Sequence, residues 1–362
     1  MTTVQDKRVE ELAARVREFH GVELSEVLEI IDYLRDGEDS VLVGGSLAYG
    51  LGNQKSDLDI VVAGRATKES SSRMPLEHFI ETLRVDVWKL REDEIEELFQ
   101  RAQRGLESDA PFEGAFGDVF EQADLKLLHR VAYGVIIDGP ALLPAGTRNY
   151  REVARDLLVR EYAERMRHAL YVSQLALGAQ QFAAAAMNAR FGVEDALQAV
   201  IASRGLPFSD NKWLQVRLEK DTPDLREVYR PFAVLPEGGA ATKKFVEAAI
   251  EQVEKLSGLR LDADSLSSDA SWEAPDLRLV PAGDLRALVS PEQDVVFELD
   301  ANEADAWKAL DGGPPWPCAS CTDIQMKVCY RLYANGMAKL LWARGLPLDR
   351  LSMKGVSVDA ER

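Results

Sequence analysis

The run Val43-Gly44-Gly45-Ser46-Leu47-Ala48-Tyr49-Gly50-Leu51-Gly52-Asn53-Gln54-Lys55-Ser56-Asp57-Leu58-Asp59-Ile60-Val61-Val62 decides the fold of the first third of this chain. An apolar strand ends in a small-residue turn, and a second apolar strand then brings two carboxylates one residue apart. Gly44 and Gly45 let backbone N–H groups come close to an anion, Ser46 adds a hydroxyl, and a helix opening at Leu47 would turn its positive end toward phosphate. Asp57 and Asp59, at i and i+2 of a strand, project from one face, with Leu58 and Ile60 on the other. Two carboxylates held so close repel unless a divalent cation lies between them, and hard oxygen ligands suit Mg²⁺.

These residues resemble the signature of the DNA polymerase β-like nucleotidyltransferase superfamily, a strand ending in Gly-Gly-Ser followed by an Asp-x-Asp strand. The combination is specific, whereas either half alone occurs widely. The resemblance implies a third carboxylate on a later strand. Arg84-Val85-Asp86-Val87-Trp88-Lys89-Leu90 alternates polar and apolar residues, which puts Val85 and Val87 toward a core and Asp86 opposite. By resemblance, Asp57 and Asp59 bind both of two Mg²⁺ ions, and Asp86 binds one and helps deprotonate the attacking hydroxyl. ATP or another nucleoside triphosphate is the implied substrate. Should Asp86 not serve as base, Glu92, Glu113 and Asp118 are the next carboxylates along the chain.

Composition narrows the setting. At 362 residues the chain is too long for one ordinary core and predicts two or three domains. No run approaches the ~20 apolar residues of a membrane span, and the N-terminus leads into an amphipathic pattern, so a cytoplasmic protein without a membrane partner is expected. A net charge of −18 disfavours broad nucleic-acid binding, because an acidic field repels phosphate, and leans toward a small acceptor. Cys318 and Cys321 have the spacing of half a zinc site or a redox pair, but the four histidines lie far upstream. Reduced structural thiols are the expectation, with Cys329 on the apolar face of a helix.

Apolar spacing predicts helices over 5–19 and 24–36, strands over 41–43, 58–63 and 84–90, and helices over 92–103 and 122–133. Residues 1–148 thus form an α+β catalytic domain, a mixed sheet with helices. Residues 149–264 read as an all-α bundle, with Gly178 separating two helices and further helices over 193–203, 211–218, 223–229 and 243–256. A sheet followed by a bundle resembles the small-molecule nucleotidyltransferases of antibiotic resistance, which implies a nucleotide contact from Lys212 and, more faintly, Asn188. A surface lysine beside a core tryptophan is the plainer reading of Lys212-Trp213. Lys126, His129 and Arg130 share a helical face that either reaches anionic oxygen or is simply solvated.

The serine-rich, acidic stretch 265–276 reads as a linker, which predicts that residues 277–362 can be removed without loss of the catalytic core. Strands over 276–289 and 294–299, a helix over 302–310 and a longer helical pattern over 321–341 follow. This order faintly resembles small winged-helix domains that bind precursor peptides; a capping subdomain with no partner is the alternative. The expected activity is transfer of a nucleoside monophosphate, AMP from ATP first, to a nucleophile of a small molecule with release of pyrophosphate. Nucleotidylylation of a macromolecule, a peptide or protein or tRNA, is the second reading. A non-catalytic binding protein on the same fold is the third, disfavoured by the complete Asp57, Asp59 and Asp86 set.

Overall fold

The computed structural model describes residues 4–64, 74–111, 122–140, 150–206, 208, 210–274, 277–282, 285–290, 295–310, 314–346, 348 and 351. Its contacts separate two compact units. The first holds residues 1–108, 115–158 and 205–221; the second holds 109–114, 159–204 and 222–362. The chain therefore returns to the first unit after most of the helical region has been built, a division that no composition shift marks.

In the first unit, the helices α1 (Val4–His20) and α2 (Leu24–Ile31) precede β1 (Ser40–Gly44), the one-turn α3 (Gly45–Ala48) and β2 (Leu58–Gly64). Then come β3 (Leu76–Ile80), β4 (Leu83–Arg91), α4 (Glu92–Glu107), α5 (Gln122–Tyr133) and β5 (Val135–Asp138). The sheet order is β3-β4-β2-β1-β5, with β2 and β4 parallel and every other pair antiparallel. β2 is buried along its whole length, as expected of a central strand covered on both faces. Period-two alternation sorts those faces. Val41, Val43, Leu58, Ile60, Val62, Val85 and Val87 pack with Leu12 and Val16 of α1 and with Val27 and Ile31 of α2 in one apolar core. α4 and α5 pack on the sheet through β4, β1 and β2. The edge strands β3 and β5 escape a periodicity reading because each is short and only partly buried.

The second unit takes most of α6 (Tyr150–Gly178), then α7 (Phe182–Ser203), α9 (Pro223–Tyr229) and α10 (Gly239–Ser257). The unit boundary falls within α6, between Leu158 and Val159. The intervening α8 (Leu214–Lys220) belongs to the first unit. α7 is one continuous helix through the stretch read above as a separate helix over 193–203. It packs against α6 where Gly192 lies: a Cβ there would stand 2.7 Å from a methyl of Leu170. Nothing in the structure needs Gly178 for clearance, since it meets no neighbour, and α6 simply ends on it.

Two further expectations are corrected. Residues 265–276 are not a bare linker: α11 (Ala263–Ser267) and β6 (Ala270–Glu273) occupy the described part, and Trp272 is wholly buried. Ser265, Ser267 and Ser268 are helix and turn positions, Ser271 lies in β6, and Asp262 caps α11 by accepting from the Ser265 N–H at 2.9 Å. The helical pattern over 321–341 also divides. It forms α13 (Asp323–Ala334), which ends near Gly336 at φ +72°, and then the strand β11 (Lys339–Trp342), which pairs with β6. A second sheet, β7 (Arg278–Ala282), β8 (Leu285–Ser290) and β9 (Val295–Leu299), is an antiparallel meander beside α12 (Ala301–Lys308). β6 sits between β11 and the two-residue β10 (Trp316–Pro317).

Both neighbours of β6 thus lie beyond residue 276, so a cut there strips the strand bare. Trp342 and Tyr333 also bond His168 of α6, at 3.3 and 2.8 Å. Removal of residues 277–362 is expected to expose Trp272 and this face of α6, and to yield protein that aggregates or melts well below the full chain. A soluble truncation with an unchanged melting curve would contradict that outcome. Among the described residues, no helix is long and apolar enough to cross a membrane.

Candidate active site

The site grows from where β1 ends. Its last pair places Gly44 opposite Asp59 of β2, and the parallel β2–β4 ladder places Asp59 opposite Asp86. Glu77 of β3 continues the row beside Asp86. Residues paired across a sheet share a face, so Asp59 and Asp86 stand side by side although 27 positions separate them in sequence. Asp57 lies one residue before β2 begins, so it enters the site from the loop and not from the strand expected for it. Asp59 and Asp86 are nearly buried, at 6% and 5% exposure.

Each buried aspartate carries a guanidinium. Arg130 of α5 donates to Asp59 Oδ1 from Nε at 2.9 Å and stacks 4.1 Å over the Trp88 ring. Arg84 donates to Asp86 through a bidentate pair, at 2.8 and 3.0 Å, and reaches Glu77 at 2.8 Å. Burial pushes the Asp59 carboxyl above the usual carboxylate range. Arg130 pulls it back, while the charges of Asp57 and Asp86 push it up again. The three aspartates are therefore close enough to feel one another. The Asp86 hydrogen bonds in turn raise the Arg84 guanidinium, with smaller contributions from Glu77 and Asp57.

The glycine pair has a steric reason. Gly45 adopts φ +66°, and a Cβ on it would fall 1.8 Å from Asp59 Oδ2. A Cβ on Gly44 would press the Arg130 side chain at 2.8 Å. Gly45→Ala is expected to destabilise the first unit by about 2 kcal/mol or more and to push the Asp59 carboxylate out of line. Thermal melting and activity measured on the same preparation would show both losses; unchanged melting would refute the close approach. α3 opens at Gly45, earlier than the Leu47 start expected above, and it is a single turn. Ser46 is buried within it, at 7% exposure.

The remaining candidates separate. Of the α5 stripe, Arg130 reaches the carboxylates, Lys126 is exposed, and His129 is buried, with its ring stacked on Tyr133. Burial pushes the His129 imidazole down to about 4. Lys212 falls in the first unit but pairs with Asp210 at 3.1 Å and is mostly exposed. Lys220 donates instead to the Gly50 carbonyl at 3.3 Å, in the loop that follows α3. Asn188 bonds its own helix at Ala184. Arg84 is legible as the polar residue two before Asp86 on an alternating strand. Glu92 opens α4, whereas Glu113 and Asp118 lie outside the described residues. The three cysteines are free, and burial raises all three thiols, Cys318 to about 12.

As a donor set, Asp57, Asp59 and Asp86 are hard anionic oxygens of the kind Mg²⁺ takes. Among the described residues, no three His, Cys, Asp or Glu side chains already converge on one metal-sized point. Arg84 and Arg130 supply the positive charge in the arrangement as it stands. The chemistry of the set suits a divalent ion, and the guanidiniums occupy oxygens that such an ion would share.

No curated protein matches the chain. Among solved structures, it is similar to a nucleotidyltransferase-like protein from Exiguobacterium sibiricum 255-15. The two are 16% identical, with a TM-score of 0.36 over 64% of this chain and 73% of that one. Residues 24–112 match the family model described as "Nucleotidyltransferase domain". That span runs from α2 through the Gly44-Gly45 turn, Asp57, Asp59 and Asp86 to the end of α4, and it is a nucleotidyltransferase domain of the polymerase β-like type.

Proposed function

We propose that the protein transfers a nucleoside monophosphate, AMP from ATP in the first instance, to a hydroxyl or other nucleophile of a small molecule, releasing pyrophosphate. The observation that supports this most is the register that sets Asp59 against Asp86, with Asp57 at the strand entrance and Gly45 held against Asp59. Asp57 and Asp59 would hold Mg²⁺ with Asp86 as a third ligand, as Arg84 and Arg130 yield part of their hold on the carboxylates. Bound there, the ion would supply charge stabilisation for the triphosphate and acidify the acceptor's hydroxyl.

The protein's own groups do the rest. Asp86, fixed by the bidentate Arg84 pair, accepts the proton of the acceptor's nucleophile. Arg130, locked over Trp88, keeps Asp59 oriented. Arg84, with Glu77 as its second partner, keeps Asp86 oriented on the acceptor's side of the site. Backbone N–H groups of the Gly44-Gly45-Ser46 turn line the approach of the triphosphate. The net charge of −18 favours a small acceptor over tRNA.

Full-length protein incubated with each of the four labelled nucleoside triphosphates, Mg²⁺ and a panel of hydroxyl- and amine-bearing small molecules should release pyrophosphate with one acceptor class, with ATP preferred. Pyrophosphate release that requires an added peptide or tRNA would transfer the reading to a macromolecular acceptor. Absence of nucleotide binding in Mg²⁺ would sink both.

A further inference from the structure

Asp57 reaches the site on a loop, and the side chains that hold this loop come from outside the matched domain. Segment 45–56, from the glycine turn to the residue before Asp57, bonds mainly to itself. The Ser46 carbonyl accepts from the Leu51 and Gly52 N–H groups at 2.9 and 3.0 Å, the Leu47 carbonyl accepts from the Gly50 N–H at 3.2 Å, and Asn53 and Ser56 close a second turn at 2.9 and 3.0 Å. Among the described residues, two side chains from elsewhere in the first unit donate to the segment. Arg15 of α1 gives its Nε to the Leu47 carbonyl at 3.0 Å, and Lys220 of α8 gives its ammonium to the Gly50 carbonyl at 3.3 Å. Leu47 is in the last turn of α3 and Gly50 just beyond it, where carbonyls lack helical partners and favour a cation. The Arg15 guanidinium also runs against Gly50, which adopts φ +73°; a Cβ there would stand 3.5 Å from Nη1.

Arg15 is half-buried, and burial pushes its guanidinium below the usual range. Glu11 opposes that shift from beyond ion-pair distance and itself pairs with Lys7 at 3.8 Å. Desolvating such a cation costs stability, and what it holds in return is the loop. The same device recurs at the end of α5, where Arg8 donates to the Tyr133 carbonyl at 2.8 Å and Arg151 to the Ala132 carbonyl at 3.1 Å, on the helix that carries Arg130 to Asp59. Arg15 and Lys220 both lie outside residues 24–112, and Lys220 sits in the segment 205–221 that returns to the first unit. We propose that Arg15, assisted by Lys220, is a positioning residue for the nucleotide: by fixing the carbonyls at the end of α3 it sets the Gly45-Ser46 turn and the loop that delivers Asp57. The proposal rests on the nucleotidyl-transfer reading above. A loop held in advance spares the nucleotide the entropy of ordering it, so loss of the clamp is read as weaker Mg·ATP binding.

Hydrogen exchange of the free full-length protein, read by mass spectrometry, would test the clamp, and calorimetric titration of Mg·ATP would test its use. Arg15→Met keeps an aliphatic stem and removes the donors. It is expected to speed exchange in peptides spanning 46–53 by about tenfold or more, to leave exchange in β2 and α4 unchanged, and to weaken Mg·ATP by about tenfold, the scale of a hydrogen bond to a charged group. Arg15→Lys, which can still reach one carbonyl, should recover part of both, a rescue that lost packing alone would not give. Lys220→Met, at an exposed residue, should speed exchange around Gly50 by a smaller factor. If Arg15→Met does not fold, Arg15→Lys decides, with the same two readouts at smaller amplitude. Exchange at 46–53 unchanged by the Arg15 substitution, exchange raised evenly across the first unit, or faster exchange at 46–53 with undiminished Mg·ATP affinity would each overturn the proposal. A wild type that binds no Mg·ATP counts against the transferase reading, while exchange in the free protein still decides the clamp.

Discussion

Asp59→Asn is expected to reduce nucleotidyl transfer by roughly three orders of magnitude or more while leaving the melting temperature close to that of the wild type, because the several kcal/mol of charge stabilisation at stake act on the transition state and not on the fold. The structure explains why the fold survives. Asp59 is a buried carboxylate whose ionised form is opposed by burial and by the charges of Asp57 and Asp86, so a neutral side chain of the same shape removes a repulsion. The amide oxygen can still accept the Arg130 hydrogen bond now made at 2.9 Å. Asp57→Asn should have a comparable effect on activity, and both variants should bind Mg·ATP more weakly. Pyrophosphate release with an identified acceptor, beside a thermal melt, separates the two quantities. Retention of most activity by either variant would remove that aspartate from the metal site.

A different pattern is expected of Asp86→Ala: near-normal affinity for Mg·ATP and a rate lower by about two to four orders of magnitude, the range associated with loss of a general base. Asp86 stands on the outer side of Asp59, next to β3 and away from the Gly44-Gly45 turn, which suits a group that meets the acceptor and not the triphosphate. Its removal frees Arg84 to remain on Glu77 alone. Calorimetric titration of Mg·ATP together with single-turnover kinetics reads the two effects apart. Normal turnover, or a defect confined to nucleotide affinity, would send the search for a base to Glu92 and to the carboxylates at 113 and 118.

Local sequence and structure agree where chemistry and periodicity coincide. β2 and β4 are strands because β-branched and aliphatic residues fit a pleated, covered surface; Asp59 interrupts the apolar run of β2, and Asp86 takes a polar position in the alternation of β4. The α5 stripe shows the limit. Lys126, His129 and Arg130 are equivalent by spacing, yet one is exposed, one is buried, and one crosses 71 residues of sequence to reach Asp59. Their fates depend on which face of the sheet the helix covers. The stretch 265–276 misleads for a related reason: its serines and acidic residues look solvated, whereas Trp272 is buried by strands contributed from residues 316–317 and 339–342.

By itself the sequence determined the strands β2 and β4, the glycine turn between β1 and α3, and where three aspartates fall against them, because each of these is fixed by interactions within a few residues: side-chain alternation, the left-handed backbone at Gly45, and the spacing of charge along a strand. Only the tertiary structure decided that Asp86 lies beside Asp59, that Arg84 and Arg130 hold those carboxylates, and that residues 205–221 return to the first unit. These are outcomes of strand register and helix packing. Such long-range pairings are selected by the burial of whole faces, and no local run of residues encodes which distant run will cover it.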